Sequence, residues 1–159
     1  TLTDVDSFGA AIGICRAANA LGKKANVVIN EVSASLRPLY NMYINSPSYP
    51  DDLFLTSEQA LNLADENSMV VVLDTNRPKM VECEELLYLA KTIVVLDHHR
   101  QSSDSIDTSF RFSSPCGESY SARSLHSAEN LIMDKLLSAM VRYECPVPTT
   151  VVLAGTRLC

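Results

Sequence analysis

Two stretches decide the fold: Met69-Val70-Val71-Val72-Leu73-Asp74 and Thr92-Ile93-Val94-Val95-Leu96-Asp97. Each is an unbroken aliphatic run that ends in an acid. A run without polar alternation suits a strand covered on both faces, the usual state in a parallel sheet. Upstream, Ser7 to Leu21 is rich in Ala with apolar residues at helical spacing. Ser7 or Asp6 can cap its start, and Gly22 follows its end. Ala25 to Ile29 then reads as a strand. Ser33 to Ile44 reads as a helix whose start Pro38 limits. The stretch Asn45 to Asp52 is a loop by its Pro, Ser and Asn content.

Thr56 to Asp65 opens with a Ser or Thr cap and an early Glu, and predicts a helix. Cys83 to Lys91, between the two acid-ended runs, predicts another. The order is helix, strand, helix, helix, strand, helix, strand. It implies an α/β fold, a mostly parallel sheet with helices on both faces. Phe110 to Phe112 adds a candidate edge strand, Ser124 to Tyr143 a long helical pattern, and Thr149 to Leu158 is ambiguous between helix and strand.

The 159 residues are 47% hydrophobic, enough for one core and one domain. The net charge of -6 argues against general nucleic-acid binding, which needs Lys and Arg to neutralise phosphates. An acidic chain can still act on phosphates where metal ions supply the positive charge. The five cysteines are odd in number, widely spaced and without a CxxC pair. That argues against a disulfide framework or zinc knuckle. No apolar run approaches the roughly 20 residues of a membrane-spanning helix. No signal peptide opens the chain, which starts inside what reads as a motif, so a piece of a longer protein is expected.

In open parallel sheets, ligands bind outside the carboxyl ends of the strands. Asp74 and the run Asp97-His98-His99 would share that edge. Asp4 and Asp6, just before the first helix, join them if a further strand precedes Thr1. Singly, an Asp at a strand end is more often a turn residue, and Asp4 and Asp6 alone are better read as helix caps. The adjacent pair His98 and His99 after a buried strand is harder to explain structurally. His126 is read as a surface or packing residue. Hydrolysis of a phosphodiester needs a deprotonated water and charge stabilisation at the phosphoryl oxygens. Two metal ions about 3.5–4 Å apart supply both. Carboxylates mixed with imidazole favour Mn²⁺ or a similar divalent ion.

Asp4-Val5-Asp6-Ser7-Phe8-Gly9-Ala10-Ala11 resembles the first motif of the DHH phosphoesterases, and Asp97-His98-His99 resembles the motif that names them. The strings TDVDSFGAAIGICRAA, SLRPLYNMYI, VVVLDTNRP and TIVVLDHHRQSSDSI are similar to the cyclic-di-AMP phosphodiesterases of bacterial membranes. The likeness is good from residue 1 to about 110. It implies the DHH N-terminal subdomain over residues 1–159, without the C-terminal DHHA1 substrate subdomain. It also implies two Mn²⁺ ions, or other divalent metals, held by Asp4, Asp6, Asp74 and His98, with Asp74 bridging. His99 would contact the substrate phosphate, and Asp97 would hold a histidine in position. Arg100, Asn76 and Arg77 are the implied substrate contacts, with a solvated-surface reading of Arg100 kept open. The implied reaction opens cyclic-di-AMP to linear pApA.

Three departures accompany the likeness. The family's first metal-binding His would fall just before Thr1. The later metal-binding Asp aligns near Cys159, after Leu153-Ala154-Gly155. Cys116 to Arg123 fits the family poorly. Weak Mn²⁺ binding and little diesterase activity are therefore expected of these 159 residues alone. A cyclic dinucleotide is the expected partner, with no stable nucleic-acid partner and no membrane contact by this chain. A homodimer stays open. By analogy the domain is cytoplasmic in a parent protein anchored in the cell membrane. The alternatives are an oligoribonuclease or phosphatase of the same superfamily, or a non-catalytic nucleotide-binding or partner-binding module.

Overall fold

The computed structural model describes residues 5–97, 103–107, 110–113 and 151–154, the last two ranges as backbone. Four helices are described: α1 (Val5–Ala20), α2 (Arg37–Ile44), α3 (Ser57–Leu63) and α4 (Leu86–Leu89). Six strands, β1 (Ala25–Val28), β2 (Phe54–Leu55), β3 (Met69–Leu73), β4 (Thr92–Asp97), β5 (Phe110–Ser113) and β6 (Val151–Ala154), form one sheet in the order β2-β1-β6-β3-β4-β5. Every neighbouring pair is parallel. The expected α/β architecture is therefore present, and all six carboxyl ends lie along one edge.

Strand β6 resolves the ambiguous segment Thr149 to Leu158. It sits at the centre, with Leu153 opposite both Val27 and Val71. It fills the gap where the chain order reverses, because β1 leads outward to β2 while β3 leads outward through β4 to β5. That reversal is where open α/β sheets bind ligands. Strand β5 takes the expected edge position. The predicted helix from Ser124 to Tyr143 lies outside the described residues.

The unbroken apolar runs are explained by two cores. Val27, Val71, Leu73, Val94 and Leu96 face Phe8, Ile12, Cys15 and Leu36 on one side. Val28, Val70, Val72 and Val95 face Ala60, Val81, Leu86 and Ile106 on the other. Alternate residues of one strand thus enter different cores, and both must be apolar. Val70, Val71, Val72 and Val95 are fully buried. Each such side chain contributes about 1.5–3 kcal/mol relative to exposure.

Local signals set the helix ends. Gly22 has φ 69°. The Lys23 N–H donates to the Ala18 carbonyl and the Gly22 N–H to that of Asn19, both at 2.9 Å. This pair of bonds ends α1 and needs the left-handed conformation that glycine adopts without strain. Thr56 caps α3 in a reciprocal box with Gln59, not with Glu58. Helix α2 starts at Arg37, four residues later than the sequence pattern suggests, with Pro38 in its first turn. Helix α4 is shorter than the predicted span from Cys83 to Lys91. Glu82 and Cys83 are buried, and Glu82 bonds to distant side chains, so their backbone is committed before the helix begins.

Candidate functional site

Asp74 directly follows β3 and turns the chain out of the sheet with φ 59°. Asp tolerates this left-handed region better than most residues. Its N–H donates to the Leu96 carbonyl at 2.8 Å, so the link to β4 continues one residue beyond the end of β3. The Asp74 Oδ1 is buried. Leu73 pairs with Leu96, so Asp74 and Asp97 follow equivalent positions on adjacent parallel strands. The expectation that both acids share one edge is met.

The turn after Asp74 is ordered by its own side chains. The Arg77 N–H donates to Thr75 Oγ1 at 3.2 Å. Asn76 is buried, and its Nδ2 donates to Asp97 Oδ2 at 2.5 Å. The Asn76 carbonyl accepts from the Ile106 N–H at 2.8 Å. Arg77 is exposed at the start of the short 3₁₀ turn Pro78–Met80. Of the three implied substrate contacts, Arg77 is therefore open to solvent while Asn76 is turned inward. Arg100 lies outside the described residues.

Asp6 is exposed in the first turn of α1. Helix α1 ends a few residues before β1 begins, and its Phe8 stacks on Phe54 with ring centroids 5.7 Å apart. Phe54 is the register partner of Val27. The helix therefore runs antiparallel to β1, and its first turn, with Asp6, points to the carboxyl edge. Asp4, His98 and His99 lie outside the described residues. Among the described residues no group of three or more His, Cys, Asp or Glu is placed to hold a metal ion. The described part of the implied ligand set is Asp6 and Asp74, with Asp97 on the strand next to that of Asp74. Carboxylates with an adjoining pair of histidines in the sequence match the donor chemistry of Mn²⁺.

A second polar cluster on the same edge escaped the sequence reading. Asn30 follows β1 much as Asp74 follows β3. Its Nδ2 donates to Glu82 Oε2 at 2.8 Å and to the Glu82 carbonyl at 3.0 Å. Its Oδ1 accepts from the Ser57 N–H at 2.9 Å, and Ser57 Oγ donates to the Glu82 carbonyl at 3.1 Å. Glu82 is 4% exposed. The rule that singled out Asp74 and Asp97, a polar residue just beyond a strand, applies equally to Asn30. The cluster anchors the far end of the loop that begins at Asp74.

Beside it, burial raises the Cys83 thiol above its ordinary range. Burial pushes Cys15, on the buried face of α1, up to about 12. Both thiols are held neutral at physiological pH, which suits packing and not nucleophilic chemistry.

The DHH family, N-terminal domain, matches residues 2–153 of this chain. The cyclic-di-AMP phosphodiesterase GdpP of Bacillus subtilis (strain 168) is 35% identical over 108 residues, covering 65% of this chain and 16% of its own length. The cyclic-di-AMP phosphodiesterase PdeA of Listeria monocytogenes serotype 1/2a (strain 10403S) is 35% identical over 103 residues, covering 64% and 16%. A membrane protein-large ribosomal subunit bL9 fusion protein of Onion yellows phytoplasma (strain OY-M) is 33% identical over 116 residues, covering 70% and 14%. The chain spans 14 to 16% of the length of these curated relatives.

Proposed function

The chain belongs to the DHH family, and from that premise we propose that it is the metal-holding half of a phosphodiesterase that opens cyclic-di-AMP to linear pApA. The observation that carries the reading is the placement of Asp74 just beyond β3 and of Asp97 at the last position of the adjacent parallel strand β4, on the carboxyl edge of the sheet. The substrate assignment is supported by the relatives named for cyclic-di-AMP hydrolysis.

Asp4, Asp6, Asp74 and His98 would hold two Mn²⁺ ions, with Asp74 shared between them. Bound Mn²⁺ supplies Lewis-acid charge at the phosphoryl oxygens and lowers the pKa of water. The chain's own residues do the positioning. Asp97 orients a neighbouring histidine, and His99 contacts the scissile phosphate. Arg77 and Arg100 offer positive charge to the dinucleotide in a chain whose net charge is -6. No helix among the described residues is long and apolar enough to cross a membrane. Attachment of the parent protein to the cell membrane, with this domain on the cytoplasmic side, is part of the proposal. It is supported by the printed name of the phytoplasma relative.

The test is metal stoichiometry. The full gene product that carries these residues is loaded with Mn²⁺, desalted and analysed for bound metal. Two ions per chain are expected, falling in Asp74→Asn. A folded protein that holds no ion at any Mn²⁺ concentration contradicts the proposal and favours a non-catalytic module.

A further inference from the structure

We infer that Asn76 is a positioning residue for Asp97, and that its amide is committed to that carboxylate instead of to the substrate. The inference rests on the metal-dependent reading above only for its functional consequence. Its structural basis is separate.

Asn76 and Asp97 are 5% and 8% exposed. Their side chains meet through Nδ2 and Oδ2 at 2.5 Å. A hydrogen bond to an ionised acceptor in a buried setting is about twice as strong as a neutral one and holds a narrow geometry. Asn76 is itself fixed on three sides. Two residues upstream, the Asp74 N–H is tied to the Leu96 carbonyl. Its own carbonyl accepts from Ile106, a buried residue of the second core. Six residues downstream, Glu82 is held by Asn30 and Ser57. An amide so placed cannot swing out to meet a ligand without breaking a buried bond to a carboxylate.

The consequence concerns Asp97. The carboxylate is pinned at one oxygen from the β3 side. Its orientation is therefore set by a residue of the neighbouring strand's turn. The two acid-ended strands are coupled twice across one edge, once through backbone and once through side chains. Asp97 is the group that would orient a ligating histidine, and Asn76 acts one step behind it; the loss of about 10- to 100-fold typical of groups that orient a ligand is therefore an upper bound for Asn76.

The experiment uses the full chain in two parts. In metal-free protein, NMR follows the Asn76 side-chain NH₂. A shifted, slowly exchanging signal that collapses in Asp97→Ala supports the bond. A freely exchanging signal unaffected by Asp97→Ala overturns the inference. In the second part, Mn²⁺ binding isotherms and steady-state kinetics compare Asn76→Ala with Asn76→His. The imidazole Nδ1 lies as many bonds from the backbone as the amide nitrogen and can keep the donor. The expected result for Asn76→Ala is Mn²⁺ binding weakened by up to about 10-fold and a lower kcat, with KM little changed. Partial recovery is expected in Asn76→His. A raised KM with unchanged Mn²⁺ affinity marks a substrate contact and overturns the inference. If the unsubstituted protein binds no Mn²⁺ yet shows the protected amide, the proposed function fails while the positioning bond stands. If Asn76→Ala does not fold, the amide signal and the Asn76→His isotherm decide.

Discussion

Asp74 donates its backbone N–H to the carbonyl of Leu96 at 2.8 Å although its φ of 59° has already carried it out of the strand. The residue thus keeps the sheet's hydrogen bonding while aiming its side chain by a left-handed turn. Structural and chemical demands fall on one position, and substitution can separate them. Asp74→Gly removes the carboxylate but accepts the turn. Asp74→Ala removes the carboxylate and strains the turn. Asp74→Gly should be more stable than Asp74→Ala by about 1 kcal/mol in urea denaturation. Both should lose turnover by at least about 100-fold, since loss of a ligand exceeds loss of an outer partner. Equal stabilities would show that the turn is not strained.

The Asn30–Glu82 contact makes a second prediction. Asn30→Ala leaves a buried carboxylate without one of its hydrogen-bond partners. The expected loss is about 2 kcal/mol, in the range for hydrogen bonds to charged groups. Glu82→Ala in the same background should cost less than it does alone. A double-mutant cycle by chemical denaturation measures that coupling, expected at about 0.5–3 kcal/mol. Strict additivity would mean that the cluster does not anchor the loop.

Cys15 predicts an alkaline instability. Burial raises its thiol from 9.0 to about 12 in the folded chain. Above pH 9 the unfolded chain loses this proton while the folded chain keeps it. Stability from this residue is therefore fully present below pH 9 and is lost as pH rises toward 12. The slope is about 1.4 kcal/mol per pH unit. Cys15→Ala removes the slope but leaves a small void in the core. The stability gap between the unsubstituted chain and Cys15→Ala should narrow from pH 9 to pH 11. A gap that stays constant would contradict the assignment.

The Thr56–Gln59 box follows the edge strand β2, three places from β3 in the sheet, and offers a local control. Thr56→Ala should cost about 1 kcal/mol through loss of the cap. Mn²⁺ affinity should stay within twofold, on the order of a measurement error for a residue outside the site. Thermal melts and binding isotherms on the same sample check both halves.

The fold was legible where a single element carried its own signal. The runs ending at Asp74 and Asp97 showed parallel strands because both faces had to be apolar, and Gly22 marked the end of α1. What escaped depended on partners far away in the chain. Phe54-Leu55 is too short to show any period, and becomes a strand only by lying against Val27 and Val28. Val151 to Ala154 reads equally as helix or strand until β1 and β3 claim it from both sides. The carboxyl edge was correctly located from Asp74 and Asp97, yet Asn30 was passed over although it obeys the same rule. The place of Asn76 in the motif implies a substrate contact but says nothing about where its side chain turns, and in the structure it meets Asp97. His98, His99 and Asp4 lie outside the described residues, so their part in the site rests on the motif alone.

Metal-dependent opening of a cyclic dinucleotide is assigned to the edge shared by Asp74 and Asp97. Chromatographic quantification of cyclic-di-AMP and pApA tests it most directly. It would be run on the full gene product with Mn²⁺, with a chelator, and with Asp74→Asn. Conversion to pApA is expected with Mn²⁺ and stops with chelator and in the variant. Conversion that survives the chelator or Asp74→Asn would contradict it, as would a folded, Mn²⁺-loaded protein that leaves cyclic-di-AMP intact.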